Sequence, residues 1–481
     1  MNQIRTLYQQ GDTIIAPASL VGGGVAVIRA SGPACNAIVQ ALGVNPHTLT
    51  SRMATLKTLR DNEDAIDHVL LLTFPSPHSF TGEDVLEIHT HGSPAVVEKI
   101  IDLAIKTVPQ VRLAEAGEFS RRAVSNGKMD LTQAEGLADL IAANTEAQRK
   151  QALTQMEGAL GERFENWRKN LIHLLAQVEA GIDFPDEELE ILADPALTKA
   201  LLGLIEDLNL ALAERAGERI RTGIRLAIVG EPNAGKSTLL NALAQADIAI
   251  TSPIAGTTRD IVTKQLNIGG YPVEIADTAG LRDETSDVIE AEGIKRARKQ
   301  AAQADIIIWV HPLHKAPPRL LPGATAKTLS HYPWLTLGLP ASYPSLVLLS
   351  KADQNPTSNP PKYIEIEDKK VPTLPIDLTD STAHPRLLAA LIPLLQNVAE
   401  NSQKSALLTR ARHRKAVEET LAALARAHVL ITKSQSNTMG SMSELVAEEL
   451  RQAAENLGQV TGRTDTESVL DEVFSTFCIG K

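Results

Sequence analysis

The chain has 481 residues, 43% of them apolar, 22% charged and only 3% aromatic, with a formal net charge of −11. That length allows about two to four domains, with cores filled by Leu, Ala, Ile and Val. The acidic balance makes the chain a poor general binder of nucleic acid, because neutralising phosphates supplies most of that affinity, so any RNA contact falls to a local patch or a partner. Two cysteines, Cys35 and Cys478, form no metal-like cluster, and a disulfide framework is not expected. The segment MNQIRTLYQQGDTII lacks an apolar signal core. No run approaches the roughly 18 apolar residues of a membrane span, so a cytoplasmic protein without membrane contact is expected.

In chain order, residues 1–126 mix short β-rich runs with helix. GVAVIR at 24–29, VLLLTF at 69–74 and the alternating VLEIHTH at 85–91 predict strands, and 93–108 has helical spacing. This is an α+β pattern. From 131 to 221 the signal is helical. Leu131, Ala134, Leu137, Ala138 and Ile141 fall on one face, with charged residues opposite. GIDFPDEE at 181–188 interrupts the helices at Pro185, and Leu197, Leu201, Leu204, Ile205 and Leu208 resume a stripe after Pro195. An α/β region starts at Leu226 and runs to about residue 395, with Pro- and Ser-rich loops expected at 311–345 and 354–362. Residues 407–457 are helical again. The economical architecture is a discontinuous helical domain, 127–222 and 399–481, carrying an inserted Ras-like P-loop domain at 223–398. The halves of a short-helix domain need each other's faces to bury.

The inserted region carries the chemistry. GEPNAGKS at 230–237 fits G-x-x-x-x-G-K-[ST], after the strand RLAIV and before the helical TLLNALA. Its glycines let backbone N–H groups curl around phosphates, Lys236 supplies positive charge to the β- and γ-phosphates, and Ser237 can hold Mg²⁺. Three more elements follow in order. GTTRD at 256–260 offers Thr258 to Mg²⁺ and the γ-phosphate. DTAG at 277–280 offers Asp277 to the Mg²⁺ surroundings and Gly280 to the γ-phosphate. SKAD at 350–353 follows the strand SLVLL. The Asp353 carboxylate can accept two hydrogen bonds from guanine N1–H and its amino group, a pair adenine cannot offer, so GTP is the expected substrate. Ser350 stands where the guanine motif N-K-x-D has Asn, which makes fewer bridging contacts available. PIDLTDS at 375–381 occupies the place of the last guanine loop. Leu281 stands where Ras-like proteins carry a water-positioning Gln, so another group must orient the water; Asp283, Glu284, Asp287, Glu290 and Glu292 lie nearby, most of them as solvated loop charges.

GEPNAGKS, GTTRD and DTAGL resemble the TrmE–Era–EngA group of GTPases. FTGEDVLEIHTHGS at 80–93, GEFSRRAVSNGKMDLTQAE at 117–135, GIDFPDEE and the terminal FCIGK extend the resemblance to the MnmE family over nearly the whole chain. The resemblance implies K⁺ binding by Asn233 with Ser252, Ile254 and Thr257, and water positioning by Glu290, three residues before GIKRA. The nucleotide-contacting set then comprises Asn233, Ala234, Gly235, Lys236, Ser237 and Thr238, then Ser252, Pro253, Ile254, Ala255, Gly256, Thr257 and Thr258. It continues with Asp277, Thr278, Ala279 and Gly280, and closes with Ser350, Lys351, Ala352 and Asp353.

The resemblance further implies that residues 1–126 bind a tetrahydrofolate derivative through Arg29, Glu87, Lys128 and the distant Lys481, and that this domain forms a homodimer. A carboxylate suits the pterin's N–H edge, and Arg or Lys the glutamate tail. His89 and His91 lack a third ligand and read as structural or folate-pocket residues. Cys478 is catalytic by the family's precedent, if a cation such as Lys481 lowers its pKa; a buried inert thiol is the competing reading, and Cys35 reads as packed. The implied partner is the flavoprotein MnmG, which brings FAD and NADH, in a heterotetramer or larger complex. Together they would place a 5-carboxymethylaminomethyl or aminomethyl group on the wobble uridine of certain tRNAs, held mainly through the partner. A ribosome-assembly GTPase of the Era/EngA type would need a basic RNA-binding module, and a stand-alone folate enzyme would need no flavin partner.

Overall fold

The computed structural model describes residues 11–183, 191–231, 233–246, 265–275, 302–313, 345–354, 360–366, 369–400, 408–434, 442–463, 473, 474, 477 and 480. Its chain divides into two compact units.

The first unit comprises Met1–Ala138, Met156–Lys169 and Ala454–Lys481. Its frame is a six-stranded sheet of β1 (Thr13–Pro17), β2 (Val25–Ser31), β3 (Thr55–Asp61), β4 (Asp64–Phe74), β5 (Val85–His91) and β6 (Val111–Leu113), ordered β3-β4-β5-β2-β1-β6. Neighbours are antiparallel except β1 and β6. Alternation decides the faces. Ala26, Ile28 and Ala30 of β2 and Leu86 and Ile88 of β5 enter one core, together with α1 (Cys35–Ala41) and α2 (Pro94–Thr107). Helix α2 starts with Pro at its first position, where no N–H is needed, and buries Val97, Ile100, Ile101 and Ala104 at helical spacing. Each large aliphatic side chain there contributes about 1.5–3 kcal/mol by leaving water. A smaller cluster joins Ile14 and Ala16 of β1 to Phe119 of α3 (Glu118–Ser125) and to Phe80. Leu131 and Ala134, at the start of α4 (Leu131–Ala142), pack with Val473, Phe474 and Phe477.

The second unit comprises Asp139–Gln155 and Asn170–Ala453. The helices that build these regions are α5 (Glu146–Met156), α6 (Ala159–Asp183), α7 (Pro195–Ala213) and α8 (Ala216–Thr222). Then come β7 (Ile224–Gly230), α9 (Lys236–Ala246), β8 (Gln265–Ile268), β9 (Tyr271–Ile275), β10 (Ile306–Pro312), β11 (Leu346–Ser350), β12 (Tyr363–Ile366) and β13 (Lys369–Pro375). Three helices follow: α10 (Ala383–Glu400), α11 (Ala411–Ser434) and α12 (Met442–Thr461). The sheet order is β12-β13-β11-β10-β7-β9-β8. Strands β9, β7, β10, β11 and β13 run parallel, and β8 and β12 are antiparallel edges. Both faces are covered, so the central strands are apolar on both sides. Leu226 and Ile228 join Leu239, Leu387 and Leu391 on one face; Ala227 and Val229 join Ile307, Trp309 and Val347 on the other.

Three expectations need correction. On α4, Ile141 is 47% exposed while Glu135 is fully buried, so the apolar stripe is tilted from the one the spacing suggested. The loop expected from residue 311 begins later, because His311 and Pro312 continue β10 in register with Leu349 and Ser350. The strand expected at 69–74 is present but starts earlier, at Asp64, and pairs with β3. Among the described residues no helix is long and apolar enough to cross a membrane.

Candidate functional site

The loop after β7 sits at the carboxyl ends of the parallel strands, where the chain passes from β9 on one side of β7 to β10 on the other, the crevice in which doubly wound sheets bind ligands. Gly230 is required there: a Cβ on it would lie 2.4 Å from the Val310 carbonyl oxygen. Asn233 (φ 61°) and Gly235 (φ 101°) both take left-handed turns, which curl successive N–H groups into an anion-binding concavity at the start of α9. The Lys236 ammonium lies across this loop and donates to the Gly230 (3.0 Å) and Glu231 (2.7 Å) carbonyls. Asn233 and Thr238 are exposed, and Ser237 is half-buried.

The guanine motif follows β11. Ser350 is buried, and its hydroxyl donates to the Ala234 carbonyl at 2.5 Å, tying strand β11 to the phosphate loop. Ser350 makes this one side-chain bridge in the position where Asn is usual. Lys351 has φ 56°, which reverses the chain and leads into a 3-10 turn, Ala352–Gln354, carrying exposed Asp353. Leu378 of PIDLTDS stands within 3.8 Å of a Cβ position on Gly235, beside the same loop. A planar base and a phosphate chain fit this frame: a glycine cradle, a helix N-terminus, a lysine and a carboxylate at the edge. The expected residues Ser252, Pro253, Ile254, Ala255, Gly256, Thr257, Thr258, Asp277, Thr278, Ala279, Gly280 and Glu290 lie outside the described residues, as do Cys478 and Lys481.

In the first unit, Arg29 and Glu87 are directly opposite on β2 and β5 and form an ion pair, with Arg29 Nε and Nη2 donating to Oε1 at 3.0 and 2.8 Å. The guanidinium also stands 5.4 Å from the Phe80 ring centroid and 5.9 Å from that of Phe119. His89 Nε2 is 3.4 Å from Glu87 Oε2, and His91 pairs instead with Asp67 at 2.7 Å. Lys128 donates to the Pro77 carbonyl at 3.0 Å, and its stem lies over Gly82, in the loop that carries Phe80. A Cβ on Gly480 would overlap the Pro17 carbonyl oxygen at 1.9 Å, so Gly480 lies at the end of β1, whose Ala16 pairs with Arg29.

The sequence reading missed the network beneath this surface. Arg122, 1% exposed, donates to Asp12 (2.7 Å), Glu118 (3.0 Å) and Glu83 (3.1 Å), and Arg112 binds Asp12 and Glu118 as well. Ser31 donates to Glu83 at 2.7 Å and shares a 2.6 Å hydrogen bond with Thr81. The buried guanidinium and its carboxylates fix α3 against the strands that carry Arg29. Burial raises the pKa of Glu118, but hydrogen bonds from Arg112, the Glu115 N–H and Arg122 outweigh it, and the net value lies below the usual carboxylate range. The Cys35 thiol is pushed up to about 12, chiefly by burial and then by the Asp84 charge, so it is packed and unreactive.

Comparison with known proteins places this geometry. A family model described as the MnmE helical domain matches residues 131–478, and one described as the GTP-binding protein TrmE N-terminus matches residues 13–128. The tRNA modification GTPase MnmE of Caulobacter vibrioides is 44% identical across 98% of this chain and 100% of its own length. The proteins of the same name from Cereibacter sphaeroides and Rhodospirillum rubrum are each 42% identical, over 98% of this chain and 100% and 99% of their own lengths. With two family models spanning most of the sequence, and relatives 42% and 44% identical over 98% of the chain, the chain belongs to the MnmE family of tRNA modification GTPases.

Proposed function

We propose that the chain is a K⁺-assisted GTP hydrolase of the cytoplasm. With MnmG, it installs a 5-carboxymethylaminomethyl or aminomethyl group on the wobble uridine of certain tRNAs, using a tetrahydrofolate one-carbon unit. The observation that carries this reading is the Ser350–Ala234 bond, which fixes a guanine-reading segment to a phosphate loop already turned through left-handed residues. On this reading residues 223–398 form an inserted GTPase domain within a discontinuous helical domain, 127–222 and 399–481. Residues 1–126 bind folate and dimerise.

The roles follow from chemistry. Asp353 accepts the guanine N–H pair, and Lys236 leaves the Gly230 and Glu231 carbonyls to pair with phosphate oxygens. Ser237 and Thr258 would hold Mg²⁺, and Asn233, Ser252, Ile254 and Thr257 would hold K⁺; the bound cations supply positive charge where negative charge develops. Glu290 orients water in the place that Leu281 cannot fill. Arg29, Glu87 and Lys128, with Lys481, take the folate, and the aromatic rings of Phe80 and Phe119 beside Arg29 suit a flat heterocycle. Cys478 acts as a nucleophile or base in the modification step.

The test combines the protein with MnmG, FAD, NADH, methylene-tetrahydrofolate, glycine or ammonium, GTP and unmodified tRNA, and measures modified uridine by mass spectrometry of nucleosides. Product is expected with the native chain and lost with Arg29→Ala and with Asp353→Asn. GTP turnover without any modified uridine would contradict the proposal and favour the ribosome-assembly reading.

A further inference from the structure

A run of polar contacts joins the α/β part to the helices of its own unit. The turn between β8 and β9 touches α5: the Ala147 N–H, left over in the first turn of that helix, donates to the Gly270 carbonyl at 3.0 Å. Side chains reinforce the seam. Gln148 and Gln151 donate to the Arg221 and Gly217 carbonyls (3.2 and 2.9 Å), and Gln265 donates to Thr222 (2.6 Å). At its other end a single oxygen of Asp139, on α4, accepts from both Arg221 (3.2 Å) and Arg410 (2.8 Å). Those arginines mark the two places where the backbone passes into and out of the α/β part. Between these contacts lies a cleft of about 400 Å³, with Asn144, Gln148, Gln151 and Gln265 in its walls.

This hairpin has a special position in the chain. β8 follows the segment that carries Thr258, and β9 leads into the segment that carries Asp277, the two groups assigned above to the γ-phosphate side of the nucleotide. Each segment is therefore joined to the hairpin directly along the chain. At its far end the Ala147–Gly270 hydrogen bond can exchange for water at little net cost, whereas the neighbouring Gly269 packs against the Ile392 side chain of α10.

We propose that the Ala147–Gly270 contact and the Asp139 triad form the joint through which nucleotide state is passed from the β8–β9 hairpin to the α4–α5 helices. This rests on the GTPase reading given above. In the joint, Asp139 is a positioning residue that holds both chain crossings, and the hairpin turn is the moving part, so the seam has a paired and a released arrangement whose balance the γ-phosphate shifts.

The geometry supplies a direct lock. An ideal Cβ on Gly270 stands 3.7 Å from the Glu146 Cβ, a separation that a disulfide spans. The full-length chain, native and as Glu146→Cys with Gly270→Cys, is followed by hydrogen exchange over residues 144–152, with GDP and with a non-hydrolysable GTP analogue. Fluorescent nucleotide binding is measured alongside. Single-cysteine variants report any cost of a side chain at φ +89°.

In the native chain, exchange at 144–152 should differ at least about fivefold between the two nucleotides, the lower end of coupling between linked sites. In the oxidised double variant that difference should vanish, and dithiothreitol should restore it, with nucleotide affinity kept within about twofold. Nucleotide bound normally, with identical exchange in both states of the native chain, would overturn the joint alone. No nucleotide binding by the native chain would overturn the GTPase reading and the joint with it.

Discussion

Replacing Ser350 with Ala isolates one bond of the nucleotide site. The hydroxyl it removes is buried and is a donor to the Ala234 carbonyl, on a residue that is itself fully buried. Ala keeps the Cβ, so no packing is lost, but a buried acceptor loses its partner. Such an orphaned group costs about 1–3 kcal/mol. The bond joins two loops rather than two core elements, so most of that cost falls on the loop geometry that receives nucleotide. At about 1.4 kcal/mol per factor of ten, GDP and GTP affinity should fall between about fivefold and 150-fold. Stopped-flow binding of a fluorescent guanine nucleotide measures the change, and differential scanning fluorimetry measures what falls on folding instead. Affinity and melting temperature both unchanged would refute the reasoning, because the orphaned carbonyl would then have found water at no cost.

Three other outcomes follow from the first unit. Arg122→Met leaves Asp12, Glu83 and Glu118 without their shared buried cation, so calorimetry should show a loss of about 3–5 kcal/mol, a fall on the order of 10 °C in its melting temperature. Glu118, held below the ordinary carboxylate range, stabilises the fold fully above its unfolded value of about 4.3 and loses that contribution as pH falls through its lower folded value. A Glu118→Gln variant should therefore trail the native chain in urea midpoint at neutral pH, with the gap closing under acid; a gap independent of pH would contradict this. Gly480→Ala, whose Cβ would overlap the Pro17 carbonyl, should move residue 480 off the end of β1 and weaken tetrahydrofolate binding in calorimetric titration, with GTP turnover unchanged.

Local signals were readable and distant ones were not. β5 stands where alternation put it, β2 runs two residues past the strand read at 24–29, and α2 and α7 stand where their apolar spacing put them. The phosphate loop was legible because its residues are contiguous and each glycine has a local reason. The Ser350 bridge was not, since its acceptor is 116 residues away, and the Arg122 network was not, since Asp12 is 110 residues away. Neither partner carries any local trace of the other. Buried Glu135 misled in a different way: a carboxylate on an amphipathic helix reads as its solvent face, and only the tertiary surroundings can place it inside. Arg29 and Glu87 stood out only through the family resemblance, and the register of β2 and β5 adds that they pair with one another.

The central claim is GTP hydrolysis assisted by K⁺ at the loop that carries Asn233. Steady-state hydrolysis by the purified chain, in KCl and in NaCl at equal ionic strength, tests it most directly. The account predicts at least about tenfold faster turnover in KCl, as one well-placed charge in a transition state can supply, and loss of that advantage in Asn233→Ala. Equal rates in the two salts would contradict it, and the positive charge opposite the phosphates would have to come from another group.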